Sequence, residues 1–153
     1  MIRVQQSPFD AAAELAAFRQ AHGSDGATVM FLGTVREGSG DQTIAAMTLE
    51  HYPGMTERQL EAIGEEAGRR WPLSASLIVH RHGRMQPGED IVMVITQSAH
   101  RDAAFEAARF MMDYLKTRAP FWKLEEGKAG DKAWVEARDT DEAATRRWQD
   151  TKD

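Results

Sequence analysis

Ser98–Lys123 reads S-A-H-R-D-A-A-F-E-A-A-R-F-M-M-D-Y-L-K-T-R-A-P-F-W-K. Apolar residues recur in it at spacings of three and four, and Ala104, Ala108, Met111 and Leu115 belong to one such stripe. This period predicts an amphipathic helix with its apolar stripe against a core. The proline that follows cannot continue a helix, and the residues after it alternate as those of a strand do. The stretch therefore predicts a helix followed directly by a strand.

Cations stand at both ends of this predicted helix. Ser98 is the candidate N-cap, because its hydroxyl can accept from a free helical amide. His100 and Arg101 lie at the start of the helix and Lys116 near its end. A helix N-terminus attracts anions and Arg adds a fork suited to phosphate, so His100 with Arg101 is a candidate anion site. Ordinary roles stay open: a turn-bonding His, a surface Arg, and a Lys that complements the helix dipole.

The strand after the helix sorts its side chains onto two faces. Phe121, Lys123 and Glu125 share one face, and Trp122 and Leu124 share the other. Lys123 can therefore point into a cleft while its neighbours pack. A lysine close to other cations has a lowered pKa and becomes a usable acid, base or nucleophile. The alternative is a solvated strand lysine.

Composition narrows the class of protein. The 153 residues predict one domain, 1–153, with 149–153 as a tail whose order stays open. The formal net charge of -5 makes the clustered cations fit a small anionic ligand better than a nucleic acid. The absence of cysteine excludes disulfides, thiolate metal sites and a cysteine nucleophile on this chain. There is no apolar run of membrane-spanning length and no signal-peptide core, so we expect a cytoplasmic protein.

The remainder of the chain alternates helices with strands. A pattern of this kind, with hairpin-like strand pairs between helices, predicts an α+β fold with mostly antiparallel strands and two or three main helices. Thr56 and Gln59 match a capping box at the start of the second helix. The predicted strands are Ala27–Arg36, Thr43–His51, Leu77–His82, Ile91–Thr96, Phe121–Glu126 and Trp134–Arg138, and the further helices run from Pro8 to Gly23, from Thr56 to Trp71 and from Asp141 to Trp148.

Five motifs resemble those of one enzyme family in the same order along the chain. They are G-T-V-R at 33–36, L-E-H-Y-P-G-M-T at 49–56, S-A-H-R at 98–101, M-D-Y-L-K-T-R-A-P-F-W-K at 112–123 and W-V-E-A-R at 134–138. Together they resemble the catalytic (large) subunit of molybdopterin synthase from about Gly26 to Trp148. The long motif that ends at Lys123 is specific, whereas S-A-H-R alone would not be.

The resemblance implies an α/β-hammerhead-like single domain and a defined activity. Enzymes of this family are sulfurtransferases of molybdenum cofactor biosynthesis, which convert cyclic pyranopterin monophosphate into molybdopterin by installing two dithiolene sulfurs. The sulfur comes from a small ubiquitin-like subunit with a C-terminal Gly-Gly thiocarboxylate. The family assembles as a central homodimer of large subunits within a heterotetramer. No membrane or nucleic-acid partner is implied.

The resemblance also assigns residues. It implies that Lys116 and Lys123 are catalytic, and it places no metal or other cofactor on this chain. Two departures from the family pattern stand out: the loop Glu37–Asp41, and Leu124 where a basic residue is common. The implied substrate-binding residues are Thr34, Val35, Arg36, His100, Arg101, Lys116, Lys123, Leu124, Glu125 and Arg138.

Two other classes of function are weighed against this one. The chain could be a non-catalytic anion-binding or assembly module of the same fold, although the presence of Lys116 and Lys123 argues against it. An RNA-binding α+β domain is disfavoured by the net negative charge and by the lack of a basic and aromatic sheet face. The residues leave open which lysine is acid or base, which is anchor, and whether a covalent adduct forms.

Overall fold

The computed structural model describes residues 1–23, 25–38, 43–136 and 139–149. Eight strands and four helices lie in these ranges. The strands are β1 (Ile2–Gln5), β2 (Ala27–Thr34), β3 (Ile44–His51), β4 (Leu73–Arg81), β5 (Gly83–Met85), β6 (Asp90–Ser98), β7 (Phe121–Gly127) and β8 (Lys132–Val135). The helices are α1 (Ala11–His22), α2 (Met55–Arg70), α3 (Arg101–Arg118) and α4 (Asp139–Arg146).

The first sheet has the strand order β1-β4-β6-β2. Strand β6 is antiparallel to both neighbours, and the short β1, which the sequence did not predict, is parallel to β4. Met93, Val94 and Ile95 of β6 are fully buried, as the continuous apolar run predicts. The predicted α+β fold with mostly antiparallel strands is confirmed.

Helices cover both faces of this first sheet. Phe18 of α1 packs on one face against Leu77, Val79 and Met93. The other face carries α2 and α3, whose buried side chains form the main core with β4 and β6. The shared core residues are Leu60, Ile63, Ala67, Ile78, Val92, Val94, Phe110, Met111, Tyr114, Leu115 and Trp148.

The second sheet has the order β5-β3-β7-β8 and is antiparallel throughout. Its inner face contributes Met47, Leu49 and Met85 to a small cluster around Val35, which follows β2. The two sheets therefore meet where β2 ends, and α3 leads from one sheet to the other. Within the described ranges, no helix is both long and apolar enough to cross a membrane.

The ends of α2 and α3 differ from the sequence prediction. Gly54 is the N-cap of α2, and its N–H donates to the Glu57 carboxylate at 2.6 Å, so the Thr56/Gln59 capping box was wrong. The Thr56 hydroxyl donates to the Tyr52 carbonyl instead. His100, not Ser98, is the residue that precedes α3, and the Ser98 hydroxyl donates to the Pro72 carbonyl at 2.9 Å. The Thr56 hydroxyl is thus used by the turn that precedes α2, and the Ser98 hydroxyl by the segment that precedes β4.

Candidate active site

A cavity of about 680 Å³ lies where the two sheets and the C-terminal end of α3 meet. This volume is in the range of sites for small organic ligands. Three separate elements supply the predicted site residues that line it: the end of β2, α3 and β7. The residues from the predicted site that line it are Thr34, Val35, Arg36, Lys116, Lys123 and Glu125.

Lys116 and Lys123 reach the cavity from either side of the turn at Pro120. Lys116 is exposed in the last turn of α3, next to the buried Leu115. The chain then reverses, and Phe121 begins β7. Strand β7 is central in its sheet, with Lys123 paired to Leu49 of β3 and to Val135 of β8. The predicted face of β7, with Phe121, Lys123 and Glu125 together, is confirmed by their shared contact with the cavity.

The segment after β2 is held tightly. The N–H of Val35 donates to the Glu89 carbonyl at 2.9 Å, and the Val35 carbonyl accepts from the N–H of Gly88 at 2.8 Å. The Val35 side chain is buried in the small cluster between the sheets. Because Val35 is fixed in this way, its chain neighbours Thr34 and Arg36 line the cavity while remaining exposed.

Acids accompany the cations in the described lining. Arg36, Lys116 and Lys123 face Glu125, Glu136 and Asp141. The Lys123 ammonium lies 3.4 Å from the Glu125 carboxylate, with both side chains about one-third exposed. The sequence predicted clustered cations that suit an anionic ligand, but the described lining is balanced in formal charge. An anionic ligand would need further cations from outside the described part of the cavity.

His80 belongs to none of the predicted site residues, yet it also lines the cavity. Its ring stacks on Phe121 with centroids 3.9 Å apart, and its Nδ1 lies 2.8 Å from the Arg81 carbonyl. Burial lowers the pKa of His80 to about 4, so the imidazole is neutral near pH 7. The sequence predicts that His80 lies on a strand. That His80 lines a cavity depends on the position of β7, whose Phe121 stacks on the His80 ring.

Three of the predicted site residues that the structure describes do not line this cavity. His100 and Arg101 are exposed at the other end of α3, about 23 Å from Lys116 by helix rise. Leu124 lies on the opposite face of β7, paired with Trp134 and Thr48, so its placement in the pocket is not supported by the strand geometry. Arg138 lies outside the described residues, as do most of the loop 37–41 and of the tail 149–153.

The histidines do not form a metal site within the described ranges, where no cluster of three or more His, Asp or Glu could hold an ion. The sequence predicted that the strand with His80 continues to His82. Strand β4 ends at Arg81, so His82 lies outside it. The His82 ring contacts His51 with centroids 4.3 Å apart, and His80 contacts Phe121.

Comparison with known proteins connects this fold with one biosynthetic class. The molybdopterin biosynthesis MoaE protein from Burkholderia ambifaria has a similar structure, with a TM-score of 0.82, 53% sequence identity and 97% of each chain covered. The molybdopterin synthase catalytic subunit of Pseudomonas aeruginosa is 53% identical over 97% of this chain and 99% of that protein. The subunit of the same name from Escherichia coli is 55% identical over 81% of this chain and 82% of that protein.

Residues 4–118 of the chain match the model of the MoaE protein family. The chain belongs to the MoaE family. Its class of activity is that of a molybdopterin synthase catalytic subunit, a sulfurtransferase of molybdenum cofactor biosynthesis. The resemblance drawn from the motifs is thereby confirmed.

Proposed function

We propose that the cavity converts cyclic pyranopterin monophosphate into molybdopterin by installing two dithiolene sulfurs. The observation that carries the proposal is the convergence of Lys116 from α3, Lys123 from β7 and Arg36 from the end of β2 on one cavity. Arg36 is brought to the two lysines only by the fold, since it lies 80 positions before Lys116 in the chain. Such convergence of cations suits a ligand that carries phosphate.

The chemistry requires these cations. The incoming thiocarboxylate and the phosphate-bearing substrate are both anions, so their approach needs positive charge already in place. When the cyclic phosphate opens, negative charge develops on the leaving oxygen. Lys116 or Lys123 can neutralise that charge by proton transfer or by direct electrostatic contact.

The sulfur must arrive on another molecule, because the chain contains no cysteine. We assign that role to a small ubiquitin-like subunit whose C-terminal Gly-Gly thiocarboxylate enters the cavity. The relatives are named catalytic subunits, which supports the presence of a further subunit in the synthase. A Gly-Gly tail has no side chains, so its backbone can approach Lys123 closely.

We propose that a second copy of this chain supplies the further cations that an anionic ligand in the cavity needs. Strand β2 has no partner on one edge within the described sheet, and Met30 and Phe31 at its centre are 39% and 40% exposed. An unpaired strand edge with apolar residues is a template for pairing. Two β2 strands that pair antiparallel about Met30 and Phe31 would form a two-fold, isologous interface.

This arrangement brings the separated site residues together. One end of β2, Ala27, pairs with Ser98, close to His100. The other end, Thr34, opens into the cavity. The strand spans about 23 Å over its seven steps, which equals the rise of α3 from Arg101 to Lys116. A two-fold axis at the centre of β2 therefore carries His100 and Arg101 of one copy to the cavity of the other.

A charged residue introduced on the edge strand β2 tests the proposed dimer. Met30→Arg should give monomers in light scattering and analytical ultracentrifugation, together with a loss of most activity. Met55→Arg is a matched control, because Met55 is 41% exposed at the start of α2, away from β2. A dimeric and active Met30→Arg variant would exclude the β2 interface.

A reconstitution assay tests the function itself. The chain is mixed with a thiocarboxylated small subunit and cyclic pyranopterin monophosphate, and the dithiolene product is measured. We expect product only when all three are present, and a small subunit extended by one bulky C-terminal residue should dock but not support turnover. Full activity with the extended tail, or no product with the native tail, would contradict the proposal.

A further inference from the structure

His80 has an open acceptor atom inside the cavity. Its Nδ1 must carry the hydrogen, because the Arg81 carbonyl 2.8 Å away can only accept. The remaining ring nitrogen, Nε2, is therefore an acceptor, and no described residue donates to it. Nε2 is not among the fully buried, unpartnered side-chain atoms of the described residues, and His80 lines the cavity.

The tautomer and charge of His80 are fixed by its surroundings. The ring is held between β4 and β7 by its stack on Phe121, with planes only 16° apart. Val92, which pairs with His80 across the sheet, also lines the cavity. A ring that is 8% exposed in such surroundings stays neutral near pH 7, and it presents a fixed lone pair rather than a positive charge.

The cavity consequently has two chemically different parts. Phe121 and Lys123 are two residues apart on one face of β7, so their Cα atoms lie about 7 Å from each other. Lys123 supplies a cation, which suits phosphate. On the side of Phe121 are flat, uncharged rings with a single acceptor, which suit the edge of a heteroaromatic ring that carries N–H groups.

We propose that His80 is a specificity-determining residue, whose Nε2 accepts a hydrogen bond from an N–H group of the substrate's pterin ring. The phosphate of the same molecule then lies toward Arg36, Lys116 and Lys123. This inference rests on the proposed function, because it takes cyclic pyranopterin monophosphate as the ligand. His80 thereby orients the ligand without adding charge to the cavity.

Paired substitutions at two histidines test this role. His80→Phe keeps the aromatic stack and removes the acceptor, whereas His80→Gln places an amide near the position of Nε2. His82→Phe is the matched control, since His82 does not line the cavity. Binding of cyclic pyranopterin monophosphate and of inorganic phosphate is measured for each folded variant, and then kcat and KM are measured with the thiocarboxylated small subunit.

We expect His80→Phe to weaken binding of the pterin and to raise KM by about tenfold, the cost of one lost hydrogen bond, with kcat little changed. Its affinity for inorganic phosphate should match that of the wild type, and His80→Gln should recover most of the loss. Unchanged pterin binding in His80→Phe, equal weakening of phosphate, or no recovery in His80→Gln would overturn the inference alone. A wild-type chain that binds no pterin would overturn the proposed function as well.

Discussion

At the scale of single residues, the two lysines of the cavity differ in their surroundings. Lys123 has an acidic neighbour, Glu125, at 3.4 Å, whereas no ion pair joins Lys116 to any described residue. A carboxylate at this distance attracts the ammonium and restrains its position. Lys123 is therefore suited to act as a fixed cation, and Lys116 has fewer contacts to give up when it meets a ligand.

Removing either lysine should abolish most product formation without unfolding the protein. Lys116→Ala and Lys123→Ala truncate exposed or partly exposed side chains, so the free energy of unfolding should change by about 0.5 kcal/mol or less. Lys132→Ala is the control, because Lys132 lies on β8 outside the cavity lining. Turnover near the wild-type rate in either cavity variant would remove that lysine from the catalytic assignment.

The buried His80 predicts a pH dependence of stability. Its pKa falls from 6.5 to about 4 in the folded chain, chiefly because burial disfavours the charged ring. Between these values the unfolded chain binds a proton that the folded chain does not, so stability is fully present above pH 6.5 and is lost as the pH falls toward 4. At about 1.4 kcal/mol per unit, the loss is roughly 3 kcal/mol.

Urea unfolding measured from pH 7 to pH 4.5 checks this. His80→Phe should flatten most of the slope, although His82, whose pKa is also lowered by burial, keeps part of it. A wild-type chain whose stability is constant over this range would show that His80 is not held neutral by burial.

At the scale of elements, β2 packs against β6 so closely at Gly33 that an added side chain would clash. A Cβ added to Gly33 would lie 2.8 Å from Val92 Cγ1 and 3.2 Å from the Phe31 ring, and the ladder shifts register at the next residue. Val92 and Phe31 both line the cavity. Gly33 thus sets how closely the two strands approach where the site begins.

The substitution Gly33→Ala should therefore destabilise the chain by about 1–3 kcal/mol, the usual cost of overpacking, and should reduce activity. The same substitution in α2 should have the opposite sign. Gly68 is exposed, a Cβ there would meet nothing within 4 Å, and Ala is the better helix former, so Gly68→Ala should add about 0.4–1 kcal/mol. Equal effects of the two variants in denaturant unfolding would contradict this account of Gly33.

At the scale of the whole molecule, the distance along α3 decides how the site is assembled. Arg101 and Lys116 cannot serve one cavity within a single copy, because about 23 Å of helix separates them. If two copies exchange these residues across β2, then each site takes Lys116 from one copy and Arg101 from the other. A substitution of Lys116 in one copy and a substitution of Arg101 in the other copy then affect the same site.

Mixed dimers make this prediction testable. Arg101→Ala should weaken substrate binding by about 1–3 kcal/mol, and Lys116→Ala should remove turnover. A dimer purified with one copy of each variant should regain about half of the wild-type activity, because both changes fall in one site and leave the other intact. No recovery in the mixed dimer, assayed well below the wild-type KM, would show that the residues do not act across copies.

The sequence by itself determined the elements that local physics controls. The stripe of Ala104, Met111 and Leu115 and the break at Pro120 predict α3 and β7 within one or two residues, except at the N-cap. Strand alternation correctly set Lys123 and Leu124 on opposite faces of β7, and Leu124 is not among the residues that line the cavity. These features depend on neighbours that are close in the chain.

Only the tertiary structure decided which distant residues meet. The short strands β1 and β5 have too few residues to show a period, and their pairing with β4 and β3 forms through long-range contacts. The entry of His80 into the cavity is likewise decided by the packing of one element on another. Periodicity fixes the face on which a side chain lies, but what lies opposite that face depends on the whole fold.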